Sequence, residues 1–407
     1  METALKDKLH SLFAQTRNQT MQIVEPLETE DYGLQCMDDA SPPKWHLAHT
    51  TWFFEKFILT KFVPDYEDFD SEFNFIFNSY YNLVGAMHNR CERGFLSRPT
   101  VKNVLKYREH VDKAIGKTLD SGILSGTQFK ELERLIKIGI NHEQQHQELM
   151  LTDIKYNFFK NPLAPTYSNN FVDTAASAGA KTKDPLKEWS SFDGGLQAIG
   201  TNSDESFDNE RPQHRKFIEK FSMASRLVTN GEFLKFVKDN GYRRPEFWMS
   251  EAWNLLQADK WQMPLYWQNH ENAMQEFRLD GLKLLILDDP IMHLSFYEAD
   301  AYARYMQARL PFEEEWEFVA SNANDANDMK DLFGSCWQWT VSSYLPYPGF
   351  RAESGALREY NGKFMCGQKV LRGSSLYTST GQSSATYRNF FPASTRWQRT
   401  GIRLVRD

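Results

Sequence analysis

TQFKELERLIKIGINHEQQHQELMLTDIKYNFF, residues 127–159, decides how the first half of the chain is read. Its apolar residues recur at helical spacing, so it predicts one long helix. On a helix, side chains four positions apart lie about 40° from each other around the axis, and three apart about 60°. His142 and His146 therefore project side by side, and two imidazoles so placed can share one metal ion. Gln145 lies on the same face. Glu148 points roughly 120° and 160° away from the two histidines, so it is expected outside the ligand set, supporting some other ligand.

A pair is not a site, and the rest must come from another helix. SPPKWHLAHTTWFFEKFILTKF, residues 41–62, predicts one, with Ser41 as its cap and Pro42 in its first turn. His49 shares a face with Trp45 and Trp52, which would turn it inward; His46 lies about 60° away. Two further helices are expected over residues 4–27 and 100–121, and four long helices make an up-and-down bundle. Metal sites in bundles form from inward side chains on facing helices. Three neutral imidazoles with open positions suit Fe(II), Zn(II) or Cu. Between the second and third helices, FNSYYNLVGAMHNRCERGFLSRPT, residues 77–100, is too long for a bundle turn, and such loops often carry function.

The predicted organisation is a bundle over residues 1–165, a linker over 166–186 and an α+β domain over 187–407. The linker reading follows from an Ala-, Ser-, Asn-, Thr- and Pro-rich composition. In the last part, only residues 229–241 and 295–309 look helical. The 407 residues carry a net charge of −7, which speaks against a nucleic-acid-binding surface. No stretch has the pattern of a signal peptide or the length of a membrane span. Cys36, Cys91, Cys336 and Cys366 form no CxxC pair and read as reduced thiols, so a cytoplasmic protein is expected.

Together these motifs resemble the iron-dependent sulfoxide synthases of ergothioneine biosynthesis (EgtB-like), over nearly the whole chain. The first half resembles a DinB-like four-helix bundle, with LAHTTWFFE (47–55) and HEQQHQE (142–148) as its metal motifs. The second half is similar to the formylglycine-generating-enzyme/sulfatase-modifying domain, which is C-type-lectin-like. FDGGLQAIGTN (192–202), FDNERPQH (207–214), GSCWQWT (334–340), VLRGSS (370–375) and GIRLVR (401–406) carry that likeness.

The resemblance implies Fe(II) held by His49, His142 and His146, with O2 as co-substrate. It implies joining of a thiol sulfur to the imidazole C2 of hercynine, leaving a sulfoxide. Gln145 would face the acceptor imidazole. The 77–100 loop resembles the type II branch, which takes free cysteine; Tyr80 and Tyr81 would then supply the proton donor, and Arg90 and Arg93 would clamp the thiol substrate's carboxylate. Asn389 would meet the carboxylate of hercynine, with Phe390 and Phe391 facing its trimethylammonium. Phe391 stands where the γ-glutamylcysteine-using branch carries an aspartate, which favours a small donor, whereas Met87 replaces a usually basic residue of the type II loop. Trp337 and Trp339 read as core. Cys336 and Cys366 lack the pattern of the copper-dependent formylglycine generators.

Three alternatives stand beside this reading. Histidine could be the acceptor, as in ovothiol synthesis, or a selenol the donor, as in selenoneine synthesis. In a non-enzyme reading, the bundle holds structural zinc beside a lectin-like binding module. All but the last imply small-molecule partners, with neither nucleic acid nor membrane.

Overall fold

The computed structural model describes residues 2–121, 126–173, 189–271, 273–322 and 329–407. The chain divides into two compact units: Met1–Leu163 with Ser354–Tyr360, and Ala164–Glu353 with Asn361–Asp407. Nothing in the sequence pattern announced that residues 354–360 would join the helical unit. Of the expected linker, residues 174–186 lie outside the described residues. Residues 164–173 belong to the second unit, where Tyr167 N donates to Leu279 O (2.9 Å) and Asp173 pairs with Arg399 (2.5 Å).

The helical unit has the four long helices that its apolar spacing predicts: Glu2–Val24, Pro43–Phe54, Val101–Asp120 and Gly126–Lys160. The second is buried along its whole length and continues into a π-helical turn, Glu55–Leu59. Such turns are rare and cluster at functional sites. Ser41 does not cap this helix: Pro42 is the N-cap residue and Pro43 opens the first turn. Ser41 is instead tied elsewhere, its amide donating to Asp153 Oδ2 (2.9 Å) and its hydroxyl accepting from Arg93 (2.9 Å). Pro43 has no N–H to offer a cap, so the serine side chain is released for other partners.

One buried carboxylate sets the rotation of the helices about each other. Glu143 accepts from Arg17 Nη1 (2.8 Å), from Thr20 Oγ1 (2.6 Å) and from Arg108. Arg17 also donates to Thr51 Oγ1 (3.0 Å) and to Asp112 (2.7 Å). All four helices thus meet at one node. Burial pushes the Glu143 carboxyl up, and the two guanidinium groups more than offset it, holding its pKa at about 2.

The second unit packs small strands and short helices around an aromatic core containing Phe233, Trp267, Phe296, Trp337 and Trp339. Trp339 Nε1 donates to Leu294 O (2.8 Å), so both tryptophans of GSCWQWT are core residues as expected. Its largest sheet orders strands Asn389–Pro392, Gln368–Gly373, Trp337–Ser343 and Thr400–Gly401, the last pair parallel and the others antiparallel. Helices Asn230–Lys238 and Phe296–Tyr305 lie where expected. Ser250–Asp259 and Glu313–Ser321 are further helices that the sequence reading left out. The latter starts with three glutamates, which suit the positive end of a helix dipole. All four cysteines are free. No helix among the described residues is long and apolar enough to cross a membrane.

Removing one member of a buried charge node leaves the others uncompensated, at about 3–5 kcal/mol. Glu143→Ala should lose stability of that order in urea unfolding. With a folded pKa of about 2 against an ordinary 4.5, the node contributes fully above pH 4.5 and is lost as pH falls toward 2. The acid-unfolding limb of Glu143→Gln should lack that pH-dependent loss.

Candidate metal centre

Three histidines from two helices converge in the helical unit. One ligand atom from each of His49, His142 and His146 lies within 4.8 Å of the others, and all three residues are buried. Two opposed metal–nitrogen bonds span about 4 Å, so the group is close to the spacing one ion requires. His49 Nε2 and His142 Nε2 are 3.2 Å apart. Burial, reinforced by the mutual repulsion of the imidazoles, holds His49 and His146 well below the ordinary histidine range. Burial likewise brings His142 to about 3, against the opposing pull of Glu143. The rings are therefore neutral, the form that ligates a metal.

Their surroundings fix how they point. His49 Nδ1 donates to the Phe77 carbonyl (2.6 Å), leaving Nε2 as its lone-pair atom. Its ring is stacked between Trp45 (4.5 Å) and Trp52 (5.7 Å). His146 Nδ1 lies 2.8 Å from Nδ1 of His46, whose Nε2 faces Asp153 Oδ2 at 3.1 Å. His46 thus lies between His146 and Asp153. His142 Nδ1 is buried and finds no hydrogen-bond partner among the described residues. The donor set of neutral, convergent imidazoles fits a single transition-metal ion.

The two ligand helices touch closely at Gly139. A Cβ there would stand 2.5 Å from Phe54 Cε1. Phe54 is itself held edge-on by Phe13 (4.9 Å) and cannot swing away freely. The missing side chain one turn before His142 lets the backbones approach.

Other predicted residues gather around the histidines. Gln145, on the ligand face, accepts a hydrogen bond from the Tyr360 hydroxyl. Tyr360 arrives with residues 354–360, and its ring lies 5.6 Å from that of His142. The Tyr80 and Tyr81 hydroxyls are 3.4 Å apart. Burial pushes both phenols well above their ordinary pKa. Tyr81 packs on Trp52 (5.8 Å) and Tyr80 approaches Tyr360 (6.4 Å). Glu359 holds this loop by accepting from Leu83 N (2.9 Å) and Asn82 Nδ2 (3.2 Å).

The two loop arginines differ. Arg93 is buried, lies 3.4 Å above the Trp45 ring and donates to the Ser41 and Ser79 hydroxyls. Burial, and then the charge of Arg90, bring its pKa down to about 9. It makes no ion pair among the described residues, and its Nε has no partner there. Arg90 is exposed and donates to the Asp39 carbonyl. Asn389, Phe390 and Phe391 belong to the second unit. There Asn389 Oδ1 accepts from Phe390 N (2.8 Å), Phe390 stacks on Tyr344 (4.1 Å), and Phe391 meets Trp397 edge-on (6.0 Å).

A family model described as the sulfatase-modifying factor enzyme 1-like domain matches residues 174–329 and 321–407, more than half of the chain. The chain belongs to that family. In this member of the sulfatase-modifying factor enzyme 1-like family, the domain is preceded by a helical region matching the DinB superfamily over residues 12–150. The three histidines all lie in the DinB-like part. The chain is similar to the hercynine oxygenase of Mycolicibacterium smegmatis, with 26% identity and 99% of each chain covered. It has the same identity to the hercynine oxygenase of Mycobacterium tuberculosis, over 98% of this chain and 99% of the other. Ergothioneine biosynthesis protein 1 of Schizosaccharomyces pombe matches at 26% over 51% of this chain and 29% of its own.

Overpacking typically costs about 1–3 kcal/mol, more than the roughly 1 kcal/mol of helix propensity gained by replacing glycine. Gly139→Ala should therefore lower the melting temperature, and metal titration should show weaker binding as the ligand helices part. Stripping with a chelator should lower the melting temperature of the wild-type chain and leave that of His142→Ala unchanged.

Proposed function

We propose that this protein is a non-haem Fe(II)- and O2-dependent sulfoxide synthase that joins the thiol sulfur of cysteine to the imidazole C2 of hercynine. One observation carries the reading: a buried group of three neutral histidines lies in a chain that aligns end to end with hercynine oxygenases. His49, His142 and His146 would hold the ion, which supplies open positions for a thiol and O2 when bound. The aromatic shell of Trp45, Trp52 and Phe53 keeps water from the imidazoles.

Each remaining residue has a task it is equipped for. Gln145 is assigned to the acceptor imidazole, and the Tyr360 hydroxyl holds its amide. Tyr80 and Tyr81 stay protonated far above neutral pH and can release a proton from one Oη while the other re-donates through their shared hydrogen bond. Arg93 is assigned to the carboxylate of the thiol substrate. An anion arriving there meets a buried cation whose Nε has no hydrogen-bond partner among the described residues, and a guanidinium fork matches a carboxylate. Arg90, nearer solvent, would be the second clamp. Asn389, Phe390 and Phe391 keep their assignment to the amino-acid end of hercynine. A reducing, cytoplasmic setting belongs to this reading and agrees with four free cysteines.

The test is anaerobic reconstitution with Fe(II), then O2 consumption with hercynine plus cysteine and mass spectrometry of the product. Uptake coupled to a sulfoxide is the expected result. Histidine outpacing hercynine would assign the ovothiol-type reaction, and a selenol outpacing cysteine the selenoneine-type. Tight zinc and no uptake with any pair would sink the enzyme reading. Gln145→Ala should raise the KM for hercynine about 3- to 10-fold, one neutral hydrogen bond's worth, with iron content unchanged. Replacing Tyr80 and Tyr81 together by Phe should cut kcat by about 100-fold or more without weakening metal binding.

A further inference from the structure

We infer that His46 and Asp153 are positioning residues that prepare His146 to bind the metal. The inference rests on the metal role of His146 proposed above. His46 follows Trp45 on the helix that also carries His49, and Asp153 lies two turns beyond His146 on the long helix. Both are buried.

The proton positions follow from what each atom can do. A carboxylate only accepts, so His46 Nε2, 3.1 Å from Asp153 Oδ2, carries the hydrogen of that bond. In a neutral imidazole the other nitrogen is then an acceptor. His46 Nδ1, 2.8 Å from His146 Nδ1, therefore accepts, and His146 Nδ1 donates. That leaves the His146 lone pair on Nε2. The chain Asp153–His46–His146 thus selects one tautomer of the ligand and one orientation of its ring, as outer partners of metal-bound histidines do. The Phe77 carbonyl does the same for His49. Asp153 is itself anchored, since Oδ2 also accepts the Ser41 amide at 2.9 Å. The Ser41 hydroxyl accepts from Arg93 Nη1 at 2.9 Å, so one short stretch of backbone links the support of His146 to the buried arginine.

His46→Leu keeps the bulk and removes both ring nitrogens. His46→Asn can place its amide oxygen near the Nδ1 position and still accept from His146. Both variants are titrated anaerobically with Co(II) and Fe(II), alongside the wild type and Asp153→Asn. Co(II) absorption in the visible reports the geometry of the ligand set, a signature that a general loss of stability would not reproduce. His46→Leu should bind about 10- to 100-fold more weakly with an altered Co(II) spectrum. His46→Asn should recover most of the affinity and the wild-type spectrum, and Asp153→Asn should fall between. Wild-type affinity and spectrum in His46→Leu, with His142→Ala unable to bind, would overturn this inference and leave the metal site standing. Wild-type protein that binds neither ion would instead remove the metal reading beneath it.

Discussion

Glu143 is the constraint on which the rest depends. It stands next to His142 in sequence, about 100° further round the helix, and reaches into a node shared by all four long helices. A carboxylate can be buried this deeply only when charge and hydrogen bonds meet it on every side. Two arginines and a threonine do so, and the helix that carries Glu143 is left with one acceptable rotation. That rotation turns His142 and His146 toward the helix Pro43–Phe54. A salt-bridged node and the proposed metal site thus occupy adjoining faces of one helix, and the first sets the geometry of the second.

The site is kept ready by exclusion of water. An imidazole in water is partly protonated near neutral pH and repels a cation. Here burial lowers all three histidines, so an ion bound there would meet neutral rings and displace no protons. The same burial has the opposite effect on Tyr80 and Tyr81, which hold their protons. One dry environment therefore holds neutral imidazoles and protonated phenols side by side.

Much of this was legible in the sequence because it depends on local periodicity. The four helices follow from apolar spacing, the His142–His146 pair from the helical repeat, and His49 from its tryptophan neighbours. The exclusion of Glu148 from the ligand set needed only angles around an axis. What was not legible depends on long-range contacts. Tyr360 reaches Gln145 across 215 positions, and no repeat links such residues. His46 looked peripheral because its angle places it off the His49 face, yet a neighbouring helix brings His146 to it. Ser41 looked like a cap because serine favours that place, but an aspartate 112 positions away takes its amide. Glu313–Ser321 was overlooked because its hydrophobic face is short, although its acidic first turn was a usable signal.

X-ray absorption of the iron-loaded protein tests the central claim most directly, since it counts the atoms around the metal. Three imidazole nitrogens at about 2.0–2.2 Å and no sulfur before thiol is added are the expected result, with one imidazole lost in a His49→Ala sample that still retains metal. A first coordination sphere containing two or fewer imidazoles, or one unchanged by removing His49, would contradict a site built from both helices.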